Sequence, residues 1–92
     1  MFYVYTLYSP KFNKIYIGQT DNLQRRLSEH NNGSLSLYTK RYIPWQIIYS
    51  ESFPSRKQAL ERERQLKSQK GREFIWNLIK QKFPQQVAGS IR

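Results

Sequence analysis

The sequence predicts an α/β domain of the α+β kind, a small three-stranded antiparallel sheet flanked by helices in the order β-β-α-β-α-α. Three observations predict it. Two short runs rich in aromatic and β-branched residues, at 2–8 and 14–18, are separated by a hairpin-length turn. A third such run, WQIIYSESF, spans 45–53. The intervening and following stretches carry helix-start signals and apolar residues at helical spacing. With 92 residues the chain makes one domain, near the lower limit at which a core folds without disulfides or metals.

The elements follow in chain order. Phe2 to Tyr8 is the first strand; Ser9, Pro10 and Asn13 make the turn, and Lys14 to Gly18 returns. Asp21 reads as a helix N-cap, with Gln24 three residues on in a capping-box arrangement. That helix runs to about Asn31, where Asn31-Asn32-Gly33 supplies a stop. Residues 34–44 read as a polar, basic loop ending at Pro44, and Trp45 to Phe53 as the third strand. Ser55 with Gln58 opens a helix over about 56–68. Gly71 separates it from a last helix over about 72–82, whose Phe74, Ile75, Leu78 and Ile79 form an apolar stripe. Pro84 ends that helix, so the domain spans 1–83 and residues 84–92 form a short polar tail.

Composition narrows the function. No cysteine is present, which excludes disulfides, thiolate zinc sites and cysteine nucleophiles. One histidine leaves no multi-histidine metal site. No secretory leader or run of membrane-spanning length is visible, which predicts a cytoplasmic protein. Sixteen Lys and Arg against six Asp and Glu give a net charge of +10. Six of the basic residues fall in 1–54 and ten in 55–92. Such an excess favours a polyanion, because each neutralised phosphate releases counterions. Nucleic acid fits best, with a membrane surface or simple solubility as the bland alternatives.

Several residues carry candidate chemistry. On alternating strand faces, Tyr3, Tyr5 and Leu7 point one way, and Lys14, Tyr16 and Gly18 share a face of the second strand. A hairpin can set Tyr5 beside Tyr16 with Lys14 near. A phenol with a pKa near 10 is a poor base unless a cation lowers that value, and Lys14 is the obvious cation. Arg26 and His30 lie one helical turn apart, along the edge of the face marked by Leu23 and Leu27. An arginine there can fork two donors onto a phosphodiester oxygen. Each residue also has a plain structural explanation, as a packed strand tyrosine or a solvated helix face.

Glu63 is the sharpest single residue. It falls among the apolar positions Ala59, Leu60 and Leu66, whereas Glu61 lies off that stripe. A carboxylate aimed toward the core needs a cation. A Mg²⁺ ion would serve, since it takes one or two protein carboxylates and fills its shell with water and phosphate oxygens. A salt bridge to Arg26 or Lys67 would serve equally.

Tyr3-Val4-Tyr5, Tyr16-Ile17-Gly18, and Asn22-Leu23 with Arg26 and His30 together resemble the GIY-YIG nuclease superfamily. Ala59-Leu60-x-x-Glu63-x-x-Leu66-Lys67 is similar to the acidic helix of its small, single-domain bacterial branch. The resemblance covers about residues 2–80 and implies metal-dependent hydrolysis of DNA phosphodiester bonds, in DNA repair or nucleic-acid processing. It implies Tyr5 as the general base, Tyr16 as its neighbour, Arg26 as the phosphate-stabilising arginine and His30 as an active-site companion. Glu63 takes the place of the ligand for one Mg²⁺ or Mn²⁺ ion, Lys14 that of a lysine near the base, and Asn77 loosely that of a polar residue on the last helix. The first motif reads Tyr-Val-Tyr rather than Gly-Ile-Tyr. Larger members attach a second domain that selects DNA, so here a partner protein is expected to supply specificity. Arg25, Lys40, Arg41 and Arg62 are the expected contacts to the nucleic-acid backbone. The rival readings are a nucleic-acid-binding module without turnover and a basic protein that docks on another protein.

Overall fold

A computed structural model describes residues 1–84. The rest of the predicted tail, 85–92, lies outside the described residues. Strands β1 (Phe2–Ser9) and β2 (Lys14–Thr20) form the predicted hairpin. Strand β3 (Gln46–Phe53) pairs antiparallel with the other edge of β1, giving the order β2-β1-β3. The hairpin turn places Asn13 at φ 56°, a left-handed conformation that asparagine tolerates. The Asn13 N–H donates to Ser9 O at 2.7 Å, and Tyr8 Oη donates to Asn13 Oδ1 at 2.7 Å.

Four helices complete the chain: α1 (Leu23–Asn31), α2 (Leu37–Arg41), α3 (Arg56–Lys67) and α4 (Gln69–Lys82). The observed order is therefore β-β-α-α-β-α-α, with one helix more than predicted. The extra helix lies inside the supposed loop 34–44. Ser36 caps it by accepting from the Thr39 N–H at 3.2 Å. Five residues are too few to show apolar periodicity, which hid it.

Strand β2 runs on to Thr20, two residues past the expected Gly18, and three other boundaries move, each for a local reason. The cap of α1 is Asn22, not Asp21: its extended backbone lets Oδ1 accept from the Arg25 N–H at 3.0 Å. Asp21 instead holds the Arg25 guanidinium at 2.7 Å. Strand β3 starts after Trp45, because Asn31 takes both Trp45 backbone groups. Trp45 N donates to Asn31 Oδ1 at 2.7 Å and Asn31 Nδ2 donates to Trp45 O at 3.0 Å. Ser68, not Gly71, separates the last two helices, closing α3 and capping α4 through the Gly71 N–H at 3.2 Å. Gly71 sits in the first turn of α4. A Cβ there would lie 2.3 Å from Gln65 O and 2.4 Å from Leu66 Cα, so only glycine lets the helices meet so closely.

Both faces of β1 are covered, which explains its burial from Val4 through Tyr8. On one face Val4, Tyr8, Ile15 and Ile17 pack with Ala59 and Leu66 of α3 and Ile75 and Ile79 of α4. On the other, Tyr5, Leu7 and Trp45 pack with Tyr16, Leu23 and Leu27. Leu60, predicted on the apolar stripe of α3, is 43% exposed. Among the described residues no helix is long and apolar enough to cross a membrane.

Candidate active site

The second face holds the candidate chemistry. Tyr5 pairs with Gly18 and Leu7 with Tyr16 across the hairpin, so the two tyrosines are diagonal neighbours with ring centroids 6.3 Å apart. His30, in the last turn of α1, is fully buried against both. Its ring lies 4.7 Å from that of Tyr16, and its Nε2 shares a 3.0 Å hydrogen bond with Tyr5 Oη. Its Nδ1 is buried without a hydrogen-bond partner.

Gly18 makes this packing possible. A Cβ at that position would stand 2.8 Å from Tyr5 Oη and 3.1 Å from Tyr16 Cε2. The glycine of Tyr16-Ile17-Gly18 thus provides the space in which the Tyr5 phenol reaches His30. Its sequence position alone did not reveal that role.

Arg26 stands at the half-buried edge of α1. Its Nε lies 3.3 Å from Glu29 Oε1, an ion-pair contact whose geometry falls short of a hydrogen bond. Among the described residues no hydrogen bond fastens this guanidinium to the protein, so its donors can turn to a ligand. Its charge reaches Tyr5 and His30. Glu63, on α3, has a side chain only 18% exposed, and its Oε2 lies 2.7 Å from Lys67 Nζ. The salt bridge of the two alternatives is therefore formed, with Lys67 rather than Arg26 as partner. Glu63 still faces the site closely enough for its charge to act on Tyr5.

Burial pushes the Tyr5 phenol well above its ordinary pKa; the neighbouring Tyr16, Glu63 and Glu29 add to the rise, and Arg26 opposes it. Burial likewise lowers His30 to about 4, helped by the Arg26 charge and opposed by Glu29. Near neutral pH, Tyr5 is thus a neutral phenol beside a neutral imidazole. The expectation that Lys14 acidifies the phenol is corrected. Lys14 pairs with Ser9 at the far end of the hairpin, and its Nζ lies over the Tyr42 ring at 5.4 Å.

The remaining candidates divide. Lys40 and Arg41 are exposed on α2 and make no ion pair among the described residues. Arg25 is held by Asp21 at 2.7 Å and Glu29 at 3.9 Å. Arg62 embraces Glu51 of β3, with Nε 3.0 Å from Oε1 and Nη2 3.0 Å from Oε2. Arg62 is thus closed on Glu51 in a half-buried pair, whereas the Arg25 pair is exposed on both sides and weakly held. Asn77 is exposed on α4, away from the stripe of Ile75 and Ile79 that packs on the sheet, and does not join the site.

Sequence reasoning missed an aromatic row beside the site. Tyr16 is followed outward by Tyr38 at 6.4 Å, Tyr42 at 5.1 Å from Tyr38, and Phe12 at 5.5 Å from Tyr42. The usable signal was Tyr38-Thr39-Lys40-Arg41-Tyr42, aromatic residues bracketing basic ones inside a supposed loop.

A single carboxylate limits which metal the site suits. No group of three or more His, Cys, Asp or Glu able to hold a metal occurs among the described residues. That rules against a caged zinc or calcium centre here. Mg²⁺ asks for one or two carboxylates and leaves its other positions to water and phosphate, which Glu63 fits.

The sequence profile of the GIY-YIG catalytic domain matches residues 1–78. A UPF0213 protein of Natronomonas pharaonis is 38% identical over 66 residues, covering 72% of this chain and 76% of its own. One from Streptococcus agalactiae is 39% identical over 67 residues, covering 73% and 75%. The solution NMR structure of a UPF0213 protein from Bacillus halodurans shares 31% identity over 85% of each chain, with a TM-score of 0.49. The tyrosine pair, the glycine that seats it and the helix bearing Arg26 and His30 all fall within the matched span, and the chain belongs to the GIY-YIG family.

Proposed function

We propose that the protein is a Mg²⁺- or Mn²⁺-dependent endonuclease that hydrolyses phosphodiester bonds of DNA, acting in the cytoplasm in DNA repair or nucleic-acid processing. The observation that carries this reading is the buried Tyr5–His30 hydrogen bond, with Arg26, ion-paired to Glu29 at 3.3 Å, at its rim.

In the proposed reaction a water oxygen forms a bond to phosphorus and the bond to the leaving oxygen breaks, that oxygen keeping the electron pair and taking a proton from solvent. The neutral Tyr5 phenol takes the proton of the attacking water as its own proton passes to His30 Nε2. The depressed pKa of His30 keeps that lone pair free at neutral pH. Arg26 donates to the oxygens on which charge builds. Glu63 would hold the divalent cation, which when bound supplies positive charge to the phosphate oxygens. Neutralising Glu63 in this way also removes one of the charges that raise the Tyr5 pKa. Residues 1–83 form the catalytic unit, and a partner protein supplies substrate selection.

The Glu63–Lys67 contact favours a second reading, a DNA-binding module without turnover, because the metal ligand is engaged. One assay separates the two. The protein is incubated with duplex, single-stranded, flapped and branched DNA in Mg²⁺ or Mn²⁺, beside Arg26→Ala and Glu63→Ala. The expected result is metal-dependent nicking that falls by about 10²-fold or more in each variant while binding is largely kept. Tight binding with no cleavage of any substrate would establish the module. Cleavage that survives in Glu63→Ala would remove Glu63 as the metal ligand.

A further inference from the structure

The aromatic row leads out of the candidate site along two segments of the chain, 8–16 and 33–48, that carry no acid. The rings of Tyr16, Tyr38, Tyr42 and Phe12 follow one another at centroid spacings of 6.4, 5.1 and 5.5 Å. Tyr38 and Phe12 are 44% and 40% exposed, unusual for large rings that could pack inward. Tyr38 is held in place by its hydroxyl, which donates to Ile15 O at 3.1 Å. Tyr38 is thereby positioned at the surface, beside the half-buried Tyr42.

Cations line the same path. Lys11 Nζ lies 5.4 Å from the Phe12 ring centroid and Lys14 Nζ 5.4 Å from that of Tyr42. Between Tyr8 and Tyr16, and again between Gly33 and Ile48, the chain has no acidic residue. At the inner end, a cleft of about 340 Å³ opens between Tyr16, Tyr38, Lys67 and Arg72. The positive charge of Arg72 is close enough to act on the Tyr38 hydroxyl. A cleft of this size lies at the small end of the range of ligand sites.

Exposed rings flanked by solvated cations are what a single strand of nucleic acid requires. Its unstacked bases lie on aromatic faces while its phosphates meet the cations. A duplex keeps its bases stacked on each other and can use only the cations. We propose that Tyr38, Tyr42 and Phe12, with Lys11 and Lys14 beside them and the Tyr38–Arg72 cleft at the inner end, bind the unpaired nucleotides of a DNA strand whose next phosphate enters the Tyr5–His30 site. The substrate class is accordingly DNA carrying a single-stranded segment. This assignment rests on the nuclease reading for where the strand leads, but not for the strand binding itself.

The test is therefore a binding measurement in EDTA, where no cleavage occurs. Fluorescence anisotropy would compare labelled oligothymidylate of about 12 nucleotides, within the span such surfaces cover, with its abasic counterpart and with a duplex of equal length. The intact protein should prefer oligothymidylate over the abasic strand by about tenfold or more. Phe12→Ala and Tyr38→Ala should each weaken oligothymidylate binding at least about fivefold, the lower end of one lost base–ring stack. Tyr38→Phe should weaken binding less than Tyr38→Ala, because it keeps the stacking ring and loses only the tether to Ile15 O. Duplex affinity should change less than twofold in all three. Equal affinity for oligothymidylate and the abasic strand would overturn the proposal, since charge alone would then explain binding. Weakening of oligothymidylate and duplex alike in Phe12→Ala, an exposed residue, would overturn it too. Ring-dependent binding by a protein that cleaves nothing with Mg²⁺ would sink the nuclease reading and leave this one standing.

Discussion

Replacing Gly18 by alanine tests the geometry of the candidate site without assuming any activity. The new Cβ would lie 2.8 Å from Tyr5 Oη and 3.0 Å from Tyr5 Cζ, while ordinary contact begins at 3.4 Å. The hydroxyl would have to retreat by about 0.6 Å, from 2.8 Å to 3.4 Å. The ring has little freedom to do so. It is 2% exposed, its hydroxyl is bonded to His30 at 3.0 Å, and its neighbours Leu7 and Trp45 are buried too. Overpacking of this kind costs about 1–3 kcal/mol. Alanine recovers roughly 0.5–1 kcal/mol by restricting the unfolded chain, so a net loss of about 1–2 kcal/mol is expected.

A double-mutant cycle in urea isolates the cause. In a Tyr5→Phe background the nearest obstructing atom, the phenol oxygen, is gone. The cost of Gly18→Ala should then shrink by about 1 kcal/mol or reverse sign, a coupling of the size expected for touching residues. Nicking activity, where present in the parent, should fall about 10²-fold in Gly18→Ala, as for other small misplacements of a reacting group. An unchanged cost of Gly18→Ala in both backgrounds would refute the reasoning. It would mean that the Tyr5 hydroxyl is not what the glycine accommodates.

Two further expectations follow from groups whose surroundings are well defined. His30 is held at about 4 in the fold against 6.5 when free, so the unfolded chain binds the extra proton between those values. Its contribution to stability is complete above 6.5 and is lost as pH falls from 6.5 through about 4. Thermal melts across that interval should fall more steeply for the parent than for His30→Gln, and equal slopes would show that the imidazole is not buried in its neutral form. Arg62→Ala should lower stability by about 1 kcal/mol, since it breaks a bidentate, half-buried pair with Glu51. DNA affinity in that variant should stay within about twofold in a filter-binding measurement, because a guanidinium closed on a carboxylate contributes little counterion release. A larger drop would return Arg62 to the nucleic-acid surface.

How much of this was legible in the sequence depended on whether a signal was local. The hairpin, β3, α3 and α4 each carry their own period or cap, and Ser55 caps α3 as its spacing with Gln58 predicts. Tyr5, Tyr16, Arg26 and His30 were singled out because strand alternation and one helical turn are short-range rules, and the structure brings Tyr5, Tyr16 and His30 together with Arg26 at their edge. The register was not legible. It placed Tyr5 opposite Gly18 and so made the glycine a seat for the phenol, and it carried Lys14 to the far end of the hairpin. The row from Tyr16 to Phe12 was hidden for the same reason, since its members come from the β1–β2 turn, β2 and the segment around a five-residue helix.

The basic residues show where sequence reading stops. Sixteen of them have nearly one chemistry on paper, and six acids choose among them once the chain is folded. Glu51 lies opposite Val4 on β3 and takes Arg62; Asp21, displaced from its supposed capping role, takes Arg25; Glu63 takes Lys67. Lys40, Arg41, Lys11 and Lys14 are among the cations that remain without an acid among the described residues, because the turn, the short helix α2 and the hairpin end contain none. A net charge of +10 says only that a polyanion is favoured as partner. Subtraction removes the cations that an acid holds, and of those left, Lys11 and Lys14 are the ones set against the rings of Phe12 and Tyr42.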